Sequence, residues 1–332
     1  MSGVQTIEVT DGDADRRLDR WFRQHFPELP HGRLEKLLRT GQIRIDGARA
    51  KSSTRLEAGQ QIRVPPLGAA PAVRPRKSRA ADPADPADLE WVQGLVIHRD
   101  DDVIAINKPP GLAVQGGTGL RRHLDAMLDG LAFDAPERPR LVHRLDKDTS
   151  GVLLLGRTAK ATARLTASFK SREAEKTYWA LVVGVPAERD GQIDMEIAKR
   201  VVGTGTPGER MAPVAGGRRA ITDYAVMDTA SSKVAWLALR PLTGRTHQLR
   251  VHCTALGTPV LGDGKYGGRQ AFPAGIPGTL RLHLHARALR MPHPGGGSLE
   301  IAAEMPAELA ATWRFFGFDP AATVDPFRDR AS

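Results

Sequence analysis

The stretch LVHRLDKDTSGVLLLGRT, residues 141–158, joins a cluster of charged residues to a run of aliphatic residues. The run at 152–155 is typical of a strand that is buried on both faces. An aspartate just before such a strand can shape the turn that leads into it, or it can be a catalytic carboxylate held at the strand's end. The charged residues at this place are Arg144, Asp146, Lys147 and Asp148.

The charge balance of the chain points to a polyanionic partner. Forty-eight lysines and arginines stand against thirty-eight aspartates and glutamates in 332 residues, which gives a net charge of +10. A basic excess favours nucleic acid, because each phosphate contact releases counterions. An arginine-rich solvated surface would give the same balance, so composition alone leaves both interpretations open.

Cysteine content and hydropathy predict a soluble cytoplasmic protein. The single cysteine, Cys253, excludes an intramolecular disulfide and a cysteine-rich zinc site. The N-terminus lacks a cationic head followed by an apolar stretch, and no apolar run reaches about 18 residues. We therefore expect no secretory signal and no membrane partner, and a chain that acts as a monomer.

A segment rich in proline, alanine and charge divides the chain. Residues 66–90 contain an ADPADPAD repeat without apolar periodicity, which predicts an extended linker. We expect an N-terminal tail over 1–13, a small unit over 14–65, a large unit over 91–322 and a C-terminal tail over 323–332.

The small unit is predicted to contain two basic helices and a short hairpin. In the first helix Leu18, Trp21, Phe22 and Phe26 share one face, and in the second Leu34, Leu37 and Leu38 face inward before Gly41. An Asp-Gly turn follows in QIRIDG. Residues 14–64 hold twelve lysines and arginines against six aspartates and glutamates, a net +6 (12 − 6) of the chain's +10. The basic side chains expected to meet RNA include Arg16, Arg17, Arg20, Arg33 and Lys36.

The large unit alternates short strands with a few helices. Strand patterns outnumber helical ones and hairpins are frequent, which predicts an α+β fold around a mixed, mainly antiparallel sheet. Among common site motifs, GDGKYGG at 262–268 lacks the P-loop spacing, and there is no HExxH or GxSxG. His283 and His285 share a strand face but have no acidic or cysteine partner at ligand spacing, so we expect neither metal nor cofactor.

Five polar clusters that flank strands occur in a characteristic order. They are NKPPGLAV at 107–114, HRLDKDTSG at 143–151, KTYWALVVG at 176–184, LTGRTHQLRVH at 242–252 and RLHLHA at 281–286. Together they resemble the RluA family of RNA pseudouridine synthases, which modify large-subunit ribosomal RNA in bacteria. NKPPGLAVQGGTGL favours the RluC-like over the RluD-like subgroup. The small unit resembles the S4 RNA-binding domain.

The resemblance implies a role for each matching residue. Asp146 becomes the catalytic carboxylate, and Tyr178 stacks on the target base and can itself act as a base. Arg250 is implied to pair with the catalytic carboxylate, with Arg245 as a second candidate that the sequence does not separate from it.

The remaining matches concern the substrate. Arg144 is implied to fill the gap left by a flipped nucleotide, while Leu249 and Leu284 form the floor and wall of the base pocket. Lys108 is expected to face the RNA or the site. The implied partner is 23S ribosomal RNA, either free or in a pre-50S particle, and no cofactor is implied.

The implied chemistry is an isomerisation, in which the N1–C1′ bond breaks and a C5–C1′ bond forms. A carboxylate can add to the uridine or remove a ribose proton, and the sequence leaves both routes open. A non-catalytic S4-domain RNA-binding protein that assists ribosome assembly is the alternative from another class. A metal-dependent hydrolase would need a ligand cluster that the sequence does not contain.

Overall fold

The computed structural model describes residues 3–67, 85–116, 122–202, 208–276, 278 and 280–328. The chain divides into two compact units, Met1–Ala80 and Ala81–Ser332.

The first unit packs two helices against a small antiparallel sheet. Its strands run in the order β1-β4-β2-β3. The elements are β1 (Gln5–Glu8), a 3-10 turn (Asp11–Asp13), α1 (Leu18–His25), α2 (His31–Arg39), β2 (Arg44–Ile45), β3 (Ala48–Arg49) and β4 (Gln61–Val64). Residues 5–8 were expected in a tail, but they form β1 because they pair with β4 along its whole length.

The apolar faces predicted for both helices are buried. Leu18, Trp21, Phe22, Leu34, Leu37 and Leu38 lie in one core, with Phe26 partly buried against it. Gly41 has a φ of 69° just after α2, as its predicted capping role requires. Asp46 and Gly47 both have positive φ, the conformation of a type I′ turn, and this turn joins β2 to β3.

The second unit is built on one large sheet. Its helices are α3 (Pro86–Gln93), α4 (Leu124–Met127), α5 (Ala159–Ser171), α6 (Gln248–Ala255) and α7 (Ala307–Phe315). Its strands are β5 (Val96–Arg99), β6 (Val103–Lys108), β7 (Arg140–Leu141), β8 (Ser150–Gly156), β9 (Glu175–Val183), β10 (Asp190–Val202), β11 (Gly208–Pro213), β12 (Arg218–Ala230), β13 (Val234–Pro241), β14 (Leu284–Pro292) and β15 (Ser298–Ala302).

The sheet is mixed and mainly antiparallel, which confirms the predicted α+β class. Its order is β11-β10-β12-β13-β9-β14-β8-β6-β5, with β15 on β14 and β7 on β8. Among the described pairs only β8 and β14 are parallel, through His285 opposite Ser150 and Ala286 opposite Gly151. This parallel pair joins two antiparallel halves.

Both faces of the sheet are covered. In the half that contains β8, Ile104 and Leu153 enter one core while Val103 and Val152 enter the core on the opposite face. In the other half, α6 packs on one face through Leu249, and α7 packs on the other through Trp313. Such two-sided burial explains why the apolar run at 152–155 is continuous.

Two further predicted boundaries differ from the structure. Helix α3 begins inside the predicted linker, because Asp85 accepts a hydrogen bond from the Ala87 amide and Pro86 occupies the first turn. The rest of that linker, residues 68–84, lies outside the described residues. The predicted C-terminal tail is partly packed, since Phe327 is buried in the core of the second unit.

Candidate active site

A cavity of about 700 Å³ opens at the point where the loop before β8 meets β9, β14 and the start of α6. Its volume lies within the range of pockets that bind small organic molecules and nucleosides. Most of the residues singled out in the large unit line it: Arg144, Asp146, Tyr178, Arg245, Leu249, Arg250 and Leu284.

Backbone hydrogen bonds hold the loop that carries Asp146. The Thr149 amide donates to the Asp146 carbonyl at 3.2 Å, which closes a turn. The Lys147 carbonyl accepts the Gly111 amide at 3.0 Å. The backbone on both sides is therefore fixed, while about a quarter of the Asp146 side chain stays exposed at the cavity. The turn interpretation and the catalytic interpretation apply to the same loop: its backbone makes the turn, and its carboxylate faces the cavity.

Gly151 allows β8 to lie against β14. Its φ is 110°, and a Cβ at this position would stand 2.7 Å from the carbonyl carbon and the amide nitrogen of Ala286. Only glycine fits both the conformation and the approach. Because the two strands meet here, Leu284 at the start of β14 lines the same cavity as the Asp146 loop.

The expectation that Lys108 faces the RNA or the site is wrong. Its side chain is fully buried and lies outside the residues that line the cavity. The ammonium group donates to the carbonyls of Pro109, Leu112 and Lys147, each at 2.9 Å. Burial lowers the pKa of Lys108 to about 7, against the charges of Asp148 and Asp146. Lys108 thus ties the NKPPGL loop to the backbone beside the aspartate.

An aromatic ring and two leucines line the cavity with Asp146. Tyr178 stands on β9 opposite Ala286, and Leu284 stands on β14 opposite Ala180, so both project from the same face of the sheet. Leu249 reaches the cavity from α6. Burial, and then the charge of Asp146, raise the pKa of Tyr178 well above its usual value. The phenol therefore keeps its proton at neutral pH, which argues against its use as a general base.

The implied ion pair between Arg250 and Asp146 is not formed in the structure. The Arg250 guanidinium donates instead to both oxygens of Asp263, at 2.7 Å from Nε and 2.6 Å from Nη2. Burial acts to lower the pKa of Arg250, but the hydrogen bonds and the charge of Asp263 outweigh burial and raise this pKa above its usual value. The charge of Asp146 raises it further. The other candidate, Arg245, donates to the Arg219 carbonyl at 3.2 Å. Neither arginine pairs directly with Asp146.

A histidine to which the sequence assigned no role lies beside Asp146. His247 Nε2 lies 3.9 Å from Asp146 Oδ2. Burial lowers the pKa of His247, and the charge of Asp146 partly opposes that shift. His247 stands between Arg245 and Arg250 in the GRTHQLR motif, so its position in the motif was the available signal.

The rim of the cavity is cationic. Arg144 is exposed there and reaches Gln115 at 3.4 Å, a long contact. Burial, and then the charges of Arg218 and Arg172, lower the pKa of Arg245. The basic side chains that line the cavity besides Arg250 are Arg144, Lys170, Arg172, Lys176 and Arg245. Lys176 was missed, although it stands two residues before Tyr178 on a strand and therefore shares its face.

The two histidines of the LHLH sequence have packing roles. His285 Nδ1 lies 2.9 Å from the Ser150 hydroxyl, and its Nε2 lies 3.1 Å from the Ala303 carbonyl. His283 Nδ1 lies 2.8 Å from the Arg281 carbonyl. Within the described residues no group of three or more His, Cys, Asp or Glu side chains is arranged to hold a metal ion. No helix in those ranges is long and apolar enough to cross a membrane.

The basic residues predicted for the first unit differ in how they are engaged. Arg16 and Arg17 form ion pairs with Asp13 and Asp19, and Arg33 donates to the Leu67 carbonyl at 2.6 Å. The two remaining side chains, Arg20 and Lys36, are exposed and form no ion pair or hydrogen bond with any residue that the structure describes.

Comparison with known proteins agrees with this geometry. Residues 102–255 match the family described as RNA pseudouridylate synthase. The chain is 34% identical over 314 residues to ribosomal large subunit pseudouridine synthase C of Escherichia coli (strain K12), covering 91% of this chain and 93% of that protein. It is 37% identical over 304 residues to RNA pseudouridine synthase 4, mitochondrial, of Arabidopsis thaliana, covering 80% of this chain and 63% of the plant protein.

A solved structure shares both fold and sequence. Human RNA Pseudouridylate Synthase Domain Containing 4 superposes with a TM-score of 0.59 at 28% identity, covering 69% of this chain and 97% of the human chain. These matches do not favour the non-catalytic alternative. With a carboxylate, an aromatic ring and a cationic rim around one cavity, and with relatives over most of its length, the chain belongs to the RluA family of RNA pseudouridine synthases.

Proposed function

We propose that this chain converts uridines of large-subunit ribosomal RNA to pseudouridine, with Asp146 as the catalytic carboxylate. The observation that carries the proposal is the position of that carboxylate, in the wall of a cavity it shares with Tyr178, Leu249 and Leu284. A planar base needs an aromatic face to stack on and apolar walls beside it, and a carboxylate must reach the reacting carbon.

The reaction itself demands little beyond that carboxylate. The N1–C1′ bond breaks, the base turns, and C5 bonds to C1′, with no change of oxidation state. Asp146 can serve by adding to the uridine or by taking a ribose proton, and both routes require its ionised form. The positive charge of Arg250, held by Asp263, attracts the Asp146 carboxylate electrostatically.

Access to the carboxylate requires the target nucleotide to leave its helix. Unstacking costs a few kcal/mol, which stacking on an aromatic ring and an inserted side chain offset. We assign the stacking to Tyr178, whose raised pKa makes it a neutral hydroxyl, and the insertion to Arg144 on the exposed rim. Arg245 and Arg172 line the same cavity, and we assign to them contacts with the phosphates that flank the flipped nucleotide.

The first unit would serve as a separate RNA clamp of the S4 type. Its net charge of +6 over residues 14–64 supports this role, and its exposed cations without an ion pair to the described residues include Arg20 and Lys36. We further propose that the enzyme acts as a monomer on 23S ribosomal RNA, free or in a pre-50S particle. We place it in the cytoplasm, since Cys253 is buried as a free thiol.

Asp146 and Asp148 lie in the same loop, and substitutions of the two test the proposed catalytic role of Asp146. Asp146→Asn should abolish pseudouridine formation, because an amide can neither add to the uridine nor accept the proton, while RNA binding stays within about twofold. Asp148→Asn is the matched control, since its exposed side chain makes no hydrogen bond to the described residues, and it should retain turnover.

The measurement is a map of pseudouridines across ribosomal RNA in cells that carry each variant. Sites that are lost with Asp146→Asn and kept with Asp148→Asn would identify the substrate uridines. Turnover by Asp146→Asn at the wild-type rate would refute the assignment.

A further inference from the structure

The turn GDGKYGG, residues 262–268, lacks the phosphate-loop spacing and forms a hydrogen-bonded hub around the buried side chain of Asp263. The Asp263 carboxylate is fully buried and accepts the two Arg250 N–H groups. It also accepts the backbone amides of Lys265 and Tyr266, each at 3.1 Å. Four donors on one carboxylate give a satisfied network, and such a network makes a rigid support.

The hub reaches the cavity through Tyr266. Its hydroxyl accepts the Met211 amide at 3.2 Å and lies 2.7 Å from His247 Nδ1. Because an amide can only donate, the hydroxyl proton is available to Nδ1, which then acts as acceptor. A neutral imidazole that accepts at Nδ1 carries its proton on Nε2. This arrangement favours the tautomer with an N–H at Nε2, the nitrogen that lies 3.9 Å from Asp146 Oδ2.

The backbone of His247 is held in an unusual conformation. With φ 52° and ψ 21° it is left-handed, which costs roughly 1 kcal/mol for a residue that has a Cβ. The tyrosine ring stands edge-on to the imidazole, with centroids 5.5 Å apart and an interplanar angle of 76°. The hydrogen bond and this ring contact keep the side chain at the cavity, and strain retained at a site is a pointer to function.

We propose that His247 is a positioning residue for the catalytic carboxylate, and that Tyr266 and Asp263 hold it in place. The inference rests on the proposed role of Asp146. The imidazole N–H stands 3.9 Å from Asp146 Oδ2, beyond hydrogen-bond length, so in the free enzyme it acts by electrostatic attraction. It draws one oxygen of the carboxylate toward α6.

The charges around His247 fit a neutral donor. The groups that act on it are Asp146, Arg250, Lys265 and Asp263. Burial has the largest effect and lowers the pKa of the imidazole, so the ring is neutral near pH 7. The hub therefore supports Asp146 in two ways: Arg250 supplies a fixed positive charge, and His247 supplies a directed N–H.

A series of variants on unmodified large-subunit ribosomal RNA transcript separates positioning from folding. His247→Ala should lower kcat about tenfold and leave KM within about twofold, because the oriented carboxylate acts in the chemical step. His247→Gln should restore most of kcat, since its amide nitrogen can replace Nε2. Tyr266→Phe should lower kcat less, and the double variant His247→Ala/Tyr266→Phe should match His247→Ala alone, because Tyr266 acts through the imidazole.

Tyr224→Phe is the matched control, because that tyrosine lies outside the cavity and its hydroxyl makes, among the described residues, only a long 3.5 Å hydrogen bond to the Glu188 carbonyl. Wild-type kcat in His247→Ala, a change confined to KM, no rescue by glutamine, or additive effects of the two substitutions would each overturn the proposal. If His247→Ala unfolds at a lower temperature than the wild-type protein, the kcat values of His247→Gln and Tyr266→Phe test the proposal instead. Wild-type enzyme and Asp146→Asn run in parallel, so failure of the proposed reaction is recognised separately from failure of this inference.

Discussion

Replacing Gly151 by alanine should damage both the fold and the active site. Gly151 stands five residues after Asp146, at one of the two residue pairs that join β8 to β14 in parallel. An alanine Cβ would lie 2.7 Å from the carbonyl carbon and the amide nitrogen of Ala286. Both are backbone atoms, so no rotamer change relieves the contact and the strands must separate.

The expected cost has two parts. An alanine at a φ of 110° is strained by roughly 1–3 kcal/mol. The overpacked contact adds about 1–3 kcal/mol more. A total of about 4 kcal/mol corresponds to a fall in Tm of roughly 10 °C in a unit of this size. The rate of pseudouridine formation should fall even at temperatures where the variant is still folded, because the displaced strand β8 follows directly on the loop that presents Asp146.

Two other glycines separate the two parts of that cost. Gly317 has a φ of 80° and no atom within 4 Å of an added Cβ, so Gly317→Ala measures strain alone. Gly156 has no positive φ, but its added Cβ would meet the Thr162 Cα at 2.7 Å, so Gly156→Ala measures the contact alone. Urea unfolding gives the free energy for each variant. The reasoning fails if Gly151→Ala costs no more than Gly317→Ala.

Further substitutions test one buried cation and the exposed cations of the first unit. The pKa of Lys108 is about 7 in the folded state and 10.5 in the unfolded state. Between pH 7 and pH 10.5 the unfolded state therefore binds more protons, and the free energy of unfolding increases with pH. From pH 7 to 9 we expect Lys108 to increase it by about 2 kcal/mol. Urea unfolding at both pH values should show this rise in wild type and not in Lys108→Met; equal slopes would contradict it. In the first unit, Arg20→Gln with Lys36→Gln should reduce the salt slope of RNA binding by about one to two, and Arg17→Gln by less, because Arg17 is already paired with Asp19. Filter binding across a salt series measures the slopes. An equal reduction of the salt slope in Arg20→Gln/Lys36→Gln and in Arg17→Gln would exclude a specific RNA-facing role for Arg20 and Lys36.

Local pattern was enough to predict most elements near the site. The continuous apolar run at 152–155 is typical of a strand that is buried on both faces, and that segment is the strand β8. The segment THQLRVHCTALG, residues 246–257, likewise predicts a short helix, and it contains α6. What local pattern does not contain is pairing between distant segments: β8 meets β14 across some 135 residues, and this contact brings Leu284 to the Asp146 loop.

Lys108 shows where general expectations about residue type are insufficient. A lysine next to a Pro-Pro-Gly turn is ordinarily assigned to the surface, because burying an ammonium group is costly. Here three carbonyl oxygens lie 2.9 Å from Lys108 Nζ, one for each N–H group of the ammonium. Their convergence arises from two loops separated by 39 residues, which no sequence window contains.

The partner of Arg250 follows from burial rather than from motif spacing. If Arg250 turned to Asp146, the fully buried Asp263 would lose both guanidinium hydrogen bonds, and removing one partner of a buried pair costs about 3–5 kcal/mol. Asp146 is partly exposed, so water can solvate it and it needs that arginine less. The guanidinium therefore goes to Asp263 and acts on Asp146 by charge alone. Because Asp146 is not engaged in a direct ion pair, both of its oxygens remain available to an incoming uridine.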